Sequence, residues 1–487
     1  MSAPLILAID QGTTNTKALL VSADGQIVHR ASIANTVSYP RAGWAEQSAV
    51  ALWAGVHSAI AQLLDNADGA AIASIAISNQ RESVVVWDAA SGEPIGPCIV
   101  WQCRRTAEIC NKLRSDGHGD AVQQRTGLSL DPLFPAAKIA WLIDSVPGAR
   151  QRAEAGELRA GTVDSWLLWQ LTGGTVHATD HSNASRTQLF NTRTLQWDDE
   201  LAALFRVPLA MMADVRASNS EFGKTVRGAT ALPAGIPVRA MVGDSHAALF
   251  GHGIRSPGMA KATYGTGTSL MTLTPERIGS SHGLSGTIAW STSAGVVHAL
   301  EGNISVSGQS AAFMAEMLGL PDAAALAALA GTVADSNGVT FVPALVGLGA
   351  PHWCSDARGT LTGMSLGTKP AHLARAAIEA MAFQVADVFT AMQQDLGVDL
   401  EVLRADGGAS QNGVLMQFQA DLLDRPVLAS MAPEVSALGA AALAFEGLGM
   451  ATSMAEQGTS YRPHIDNEAR AGLQRRWQIA IRQTLTQ

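Results

Sequence analysis

Asp10, Gly12, Thr13, Thr14, Asn15 and Lys17 fall within one stretch, LILAIDQGTTNTKALL, in which an apolar run ends at an acid, turns through glycine and hydroxyl residues, and resumes. That combination suits an anion. Glycine permits close backbone approach, Thr13, Thr14 and Asn15 supply donors, Lys17 supplies charge, and Asp10 is placed to order a magnesium ion through water. The same stretch also reads as an ordinary β-hairpin in which Asp10 caps the turn. A second run of the kind, KATYGTGTSLMTL, puts Thr266 at a Gly-Thr-Gly tip. A third, LRADGGASQNGVL, carries Gly408 and Asn412 between a strand and a helical pattern, which suits close backbone approach to an adenosine. Two cradles in separate parts of the chain point to two lobes facing one nucleotide.

Other positions carry a different chemistry. Asp244 follows the apolar run VRAMVG and opens the helical pattern HAALF, so its carboxylate either projects into a cleft as a general base or caps the helix. Arg81 and Glu82 follow the run IASIAIS. An adjacent donor and acceptor at a strand end match a polyol, whose hydroxyls all give and take, and equally match a solvated ion pair. Trp101 is an apolar wall or plain core. Phosphorylating an alcohol needs a base beside the hydroxyl, metal and donors on the γ-phosphoryl group, and residues that hold the acceptor in line.

The elements that must position these residues alternate. From about Leu5 to Gln102 the pattern is strand-rich, with IASIAISNQ, SVVVWD and CIVWQ after the first hairpin, and implies a mixed sheet. Apolar residues at three and four spacing predict helices over 45–66, 105–114 and 136–143. Strands mixed with helices make an α/β domain. At GHGIRSP, Gly251 to Pro257, the pattern breaks and a new strand set begins, which divides the chain into residues 1–250 and 251–487. Residues 370–396 and 435–448 are helical, the second alanine-rich and suited to close packing. The echo between the two hairpins points to a duplicated unit.

A length of 487 residues allows two cores, and 47% apolar with 15% charged residues is ordinary for a globular protein. A net charge of −9 argues against non-specific nucleic-acid binding. The start, MSAPLILAID, lacks a basic n-region, and its apolar run stops too soon for a signal or membrane segment, so a cytoplasmic chain with no membrane partner is expected. Cys98, Cys103, Cys110 and Cys354 include no C-x-x-C pair, which points to free thiols. Neither a P-loop motif nor the protein-kinase motif set occurs, so the hairpins must handle phosphate.

The segments GWAEQ (43–47), NQRES (79–83), WQCRRT (101–106), GTVDSWLLWQ (161–170) and DHSNASRT (180–187) are followed by VGDSHAALFG (242–251), VPALVGLGAPHWCSDARGTLTG (342–363) and DGGASQNGVLMQFQ (406–419). In order and spacing they resemble the FGGY carbohydrate kinases, above all the glycerol kinase branch, over nearly the whole chain. The resemblance implies an α/β fold of two ribonuclease-H-like domains, of the actin and hexokinase superfamily, with a cleft between them. It also implies ATP and Mg2+ as cofactors, a small polyol or sugar as acceptor, and a homodimer or homotetramer. By position it makes Asp244 the catalytic base, puts Arg81 and Glu82 on acceptor hydroxyls, and packs Trp101 against the acceptor's carbon face. Thr13, Thr14, Asn15, Lys17 and Thr266 fall on the phosphates, Gly308, Gly408 and Asn412 on adenosine, and Asp10 on the metal.

Departures from the branch gather at the acceptor. Leu133 stands where a tyrosine is usual, Ser245 where a glutamine follows the catalytic aspartate, and Ser269 where an aromatic follows the Gly-Thr-Gly tip. Each is shorter, and two remove an aromatic wall, so the pocket is expected to be roomier and differently hydrogen-bonded. Cys103 replaces an aspartate, Ala312 a glutamine near the nucleotide, and Lys17 an arginine. The expected activity is phosphorylation of a terminal hydroxyl on glycerol or a four- or five-carbon polyol, with a ketopentose such as xylulose or ribulose as the alternative. An actin- or chaperone-like ATPase shares the cradles but has no need of NQRES or WQCRR.

Overall fold

The computed structural model describes residues 4–65, 67, 69–432, 434–452 and 458–486. Leu5–Gln11 and Asn15–Val21 form the first hairpin, with Asp10 opposite Lys17. Met259–Tyr264 and Thr268–Thr274 form the second, with Tyr264 opposite Thr268. Each hairpin founds a mixed sheet. The first sheet runs Ile27–Ala34, Asn15–Val21, Leu5–Gln11, Ile72–Asn79, Pro237–Gly243, the last three parallel, with Gly223–Lys224 at the edge. The second runs Gly295–Ile304, Thr268–Thr274, Met259–Tyr264, Val402–Asp406, Val427–Ser430, again with the last three parallel. Setting aside Gly223–Lys224 of the first sheet and Ser285–Thr292 and Gly458–Tyr461 at the two edges of the second, the five remaining strands of each sheet lie in the chain order third, second, first, fourth, fifth. This is the ribonuclease-H-like arrangement, built twice, and the echo of the hairpins is its trace in the sequence.

The central strands are apolar without alternation because both faces are covered. Ile6, Leu7 and Ala8 are all fully buried. Leu7 and Ile9 pack with Leu52, Val56 and Ile60 of the helix Ala49–Leu64, and with Trp166 of Val163–Leu171. Ile6 and Ala8 pack with Leu249 of Asp244–Gly251 and with Leu438 and Leu443 of Val435–Gly447. Val435–Gly447 follows the last parallel strand of the second sheet yet lies on the first. Reciprocally, Asp244–Gly251 follows the last parallel strand of the first sheet and also touches strands of the second. The two helices cross with backbones almost touching, since a Cβ on Gly439 would fall inside the Ala247 carbonyl.

Several predicted elements shift. The helix expected from Ala45 starts at Ala49 with Ser48 as its cap, because Glu46–Gln47 pairs as a strand with Cys98–Ile99. Its expected end at Asn66 lies outside the described residues. The predicted helices at 105–114 and 136–143 form as Ala107–Ser115 and Pro135–Ser145, and Pro370–Leu396 forms as predicted. Val84–Asp88, expected in the first mixed sheet, belongs to a separate four-stranded antiparallel sheet with Leu158–Thr162. Cys98, Cys103 and Cys110 are buried free thiols, and Cys354 is partly exposed. Among the described residues no helix is long and apolar enough to cross a membrane.

Candidate active site

The first hairpin tip has its carbonyls turned inward. Gly12 O accepts from Asn35 Nδ2 and Gln11 Nε2, both at 2.8 Å, Thr13 O from Gln47 Nε2 at 2.9 Å, and Thr14 O from Asn35 N at 2.8 Å. The second tip repeats the device: Gly265 O accepts from Gly308 N at 3.0 Å, Thr266 O from Ser307 N at 2.9 Å, and Gly267 O from Gly265 N at 2.9 Å. With the acceptors taken from behind, each tip presents donors, as an anion requires. Thr14 and Thr266 are exposed. Asn15 Nδ2 donates to Thr14 Oγ1 at 3.2 Å. Lys17 pairs with Glu434 at 2.5 Å, so its charge is shared with the entrance to the Val435–Gly447 helix instead of being reserved for phosphate.

The Gly-Gly element divides its labour. Gly407, at φ +89°, comes so close to Tyr264 that a Cβ would meet the Tyr264 carbonyl, whereas a Cβ on Gly408 would meet nothing within 4 Å. Gly407 therefore serves the fold and Gly408 opens onto space. Asn412 caps the helix Gly413–Leu423 through Oδ1, which accepts from Val414 N and Leu415 N and leaves the amide nitrogen outside the cap. A Cβ on Gly308 would meet Gly265 O at 2.6 Å, so this glycine sets how closely the helix Gly308–Met317 approaches the second tip. Ala312 is exposed on that helix.

Arg81 and Glu82 are not a surface pair. They are 7% and 4% exposed and belong to a buried charge network. Arg81 Nε donates to Asp244 Oδ1 at 3.1 Å, Arg81 Nη1 lies 2.6 Å from Glu301 Oε1, Arg186 Nη1 lies 2.7 Å from Glu301 Oε2, and Arg186 Nε donates to Glu82 Oε1 at 2.6 Å. Asn303 completes it with its amide donating to Glu301 and its carbonyl accepting from Arg186. Although burial works against the charge, Arg186 and Arg81 hold the Glu301 carboxyl well below the usual carboxylate range. Glu82 sits at φ +59°, a left-handed conformation that costs a non-glycine residue energy and that this network and Lys138 hold in place. Lys138 is fully buried and donates to the carbonyls of Glu82 (3.1 Å) and Leu133 (2.6 Å). Burial lowers its pKa to about 8.

The three departures converge on this centre. Ser269 Oγ donates to Glu301 Oε1 at 2.7 Å, Leu133 is tied to Glu82 through Lys138, and Ser245 is buried beside Asp244. Gly243, one residue earlier, is the helix N-cap, which places Asp244 inside the first turn. A Cβ on Gly243 would meet Arg81 Cγ and Cδ at 2.6 Å. Trp101 is half-buried and its indole Nε1 donates to Thr13 Oγ1 at 3.0 Å, so it reaches the first hairpin tip.

Two carboxylates face the cleft from the first lobe. Burial raises Asp10 to about 6 against the opposing effect of Lys17, and the nearby charge of Asp244 adds to the rise. Burial also raises Asp244, with Arg81 opposing it. Ser78 Oγ donates to Asp10 Oδ1 at 2.8 Å and fixes its rotamer. Two neighbouring carboxylates, of which Asp244 raises Asp10, fit a hard divalent cation carried in with phosphate oxygens, which takes only one or two protein carboxylates. Among the described residues no group of three or more His, Cys, Asp or Glu side chains is placed to hold a metal alone.

Sequence reasoning missed Arg186 and Glu301, the buried centre of the network. Arg186 lies inside DHSNASRT, and the signal for Glu301 was a lone acid within the apolar run VVHALEGNI.

Two lobes of like topology, each with an inward-tied hairpin tip and joined by a buried Arg and Glu network, are the frame of a two-lobed phosphotransferase. Residues 5–251 match the model of the N-terminal domain of the FGGY family of carbohydrate kinases, and residues 260–447 match that of its C-terminal domain. The chain belongs to this family and is an ATP-dependent carbohydrate kinase. It is 46% identical to a glycerol kinase of Geobacter sp. (strain M21), over 99% of this chain and 98% of that one. It is 48% identical to an apulose kinase of Pectobacterium atrosepticum, over 92% and 90% of the two chains. The structure of Plasmodium falciparum glycerol kinase with ADP superposes with a TM-score of 0.91 at 30% identity, covering 100% of this chain and 99% of that one.

Proposed function

We propose that the acceptor is a small polyol or ketose richer in hydroxyl or carbonyl groups than glycerol, of the branched five-carbon kind that apulose represents, phosphorylated on a terminal hydroxyl. The single observation that carries this reading is the Ser269 hydroxyl bound to Glu301 where the glycerol kinase branch usually has an aromatic ring. A half-buried hydroxyl at that edge, held by the buried Glu301, favours an acceptor with a polar group to offer, whereas an aromatic wall favours bare carbon. Glycerol is the second reading, supported by the full-length likeness to glycerol kinases.

In the mechanism, Asp244 takes the proton of the attacking hydroxyl while Arg81 and Glu82 hold the neighbouring hydroxyls in line. The donors of the two tips lie against the β- and γ-phosphates and stabilise charge on the transferring group. Gly308, Gly408 and the amide of Asn412 border the adenosine. Asp10 would order a magnesium ion, which when bound supplies positive charge to the phosphate oxygens. Closure of the lobes excludes water and suppresses ATP hydrolysis.

The test is ADP release from Mg-ATP with glycerol, erythritol, xylitol, ribitol, xylulose, ribulose and apulose, beside a control without acceptor. A higher kcat/KM for one of the larger acceptors is expected. A glycerol preference overturns the acceptor reading, and rapid turnover in the control would favour an ATPase. Ser269→Phe is expected to shift the ratio of kcat/KM towards glycerol by about 10-fold or more, the scale of one pocket contact.

Asp10→Asn is expected to abolish most turnover yet stabilise the unliganded protein. The carboxyl sits near 6 when folded against 3.8 ordinarily, so between those values the folded state holds the extra proton. That contribution is complete below about pH 4 and lost as the pH rises through about 6. The variant should therefore gain about 1–3 kcal/mol in urea unfolding at pH 8, shrinking towards zero at pH 4.

A further inference from the structure

Gln80 follows the strand Ile72–Asn79, is 1% exposed, and has an amide whose hydrogen bonds are all committed. Its Nε2 donates to Gln47 Oε1 at 2.9 Å and to Gln11 Oε1 at 3.2 Å. Its Oε1 accepts from Ser83 Oγ at 2.8 Å and from Thr13 Oγ1 at 3.4 Å. Ser83 Oγ in turn accepts from Trp101 N at 3.1 Å, and Trp101 Nε1 donates to Thr13 Oγ1 at 3.0 Å. Gln80, Ser83, Trp101 and Thr13 thus close a ring. Gln47 clamps the same threonine from the other side, through its carbonyl at 2.9 Å.

One side of the ring is the acceptor's wall and the other is the first phosphate tip. An amide with both donors and both acceptor sites engaged has one orientation, and a shift of either Trp101 or Thr13 leaves a buried polar atom unpaired. Linked bonds of this kind give an element with few alternative arrangements, which is what coupling between two ligands requires.

We propose that Gln80 is a positioning residue that couples the acceptor pocket to the nucleotide: an acceptor seated against Trp101 fixes Thr13, and the fixed tip binds Mg-nucleotide more tightly. The inference rests on the reading above in taking Trp101 as the acceptor's wall and the first tip as the nucleotide's. Coupling of this sort is reciprocal and amounts to at least about fivefold in affinity.

The test uses the full chain and Mg-AMP-PNP as the nucleotide probe. Its dissociation constant is measured alone and with saturating glycerol or apulose, whichever of the two the enzyme turns over faster. The wild type should show a ratio of about fivefold or more, and Gln80→Leu should bring it close to one. Should Gln80→Leu fail to fold, Thr13→Val deletes the hydroxyl at nearly constant volume and Trp101→Phe deletes the indole N–H with a smaller ring, and both should do the same. A residue that only supports the fold would lower thermal stability and leave the ratio unchanged. A wild-type ratio of one, or a full ratio in Thr13→Val and Trp101→Phe, overturns the proposal.

A second arm needs no acceptor. Mg-AMP-PNP should change the fluorescence of Trp101, isolated by subtracting the signal of Trp101→Phe, and Thr13→Val should lose that change at saturating nucleotide. Absence of the change in the wild type, or its persistence in Thr13→Val, overturns the coupling whatever the acceptor proves to be.

Discussion

Asp244→Asn is expected to lower kcat by at least about 100-fold with nucleotide binding largely kept, the loss that follows removal of a positioned general base. The carboxylate is set up for that role from two sides. Burial raises its pKa, which strengthens it as a base, and Arg81 Nε at 3.1 Å opposes the rise. Asparagine keeps the shape and can still accept from Arg81, so the variant isolates proton transfer from architecture. Single-turnover rates with Mg-ATP and the preferred acceptor, beside Mg-ADP affinity, make the measurement. Turnover within a few-fold of the wild type would remove Asp244 from the base role.

The second large effect concerns stability. Glu301 is fully buried between Arg81 and Arg186 and comes from the second sheet, whereas both arginines come from the first lobe. Removing the carboxylate strands two buried guanidinium groups. Glu301→Ala is therefore expected to cost about 3–5 kcal/mol, the range for breaking a buried ion pair by deleting one partner. Because the pairs are sealed from solvent, added salt should not rescue the variant. Urea unfolding at low and high ionic strength checks both statements. A loss under about 1 kcal/mol would mean that the network contributes no more than a surface pair. Glu301→Gln keeps the volume and one acceptor oxygen, so it should fall between.

The legible parts of this molecule were those written in short runs. Asp10, Thr13 and Thr266 lie on tips that strand and glycine patterns announce, and the alternation of strands with helices was enough for the fold class. Contacts between distant runs were not legible. Nothing local says that Glu301 meets Arg186, 115 residues apart in the chain, or that Trp101 reaches Thr13. The helix expected from Ala45 began late because its first turn's backbone was claimed by pairing with Cys98–Ile99, a partner with no signal nearby. Val435–Gly447 was recognisable as a helix, but an alanine-rich helix buried nearly all round has no polar face to tell which sheet it covers.

That helix has a consequence for the history and handling of the chain. Two copies of one unit have each lent a closing helix to the junction, with Gly439 set against Ala247 where the two cross. A fragment ending at Gly251 would keep its strands but expose one face of its sheet, and the complementary fragment would carry an apolar helix with nowhere to lie. Units that trade parts in this way stop being modules: neither can be lost, exchanged or produced alone, and any circular permutant must leave both crossing helices intact.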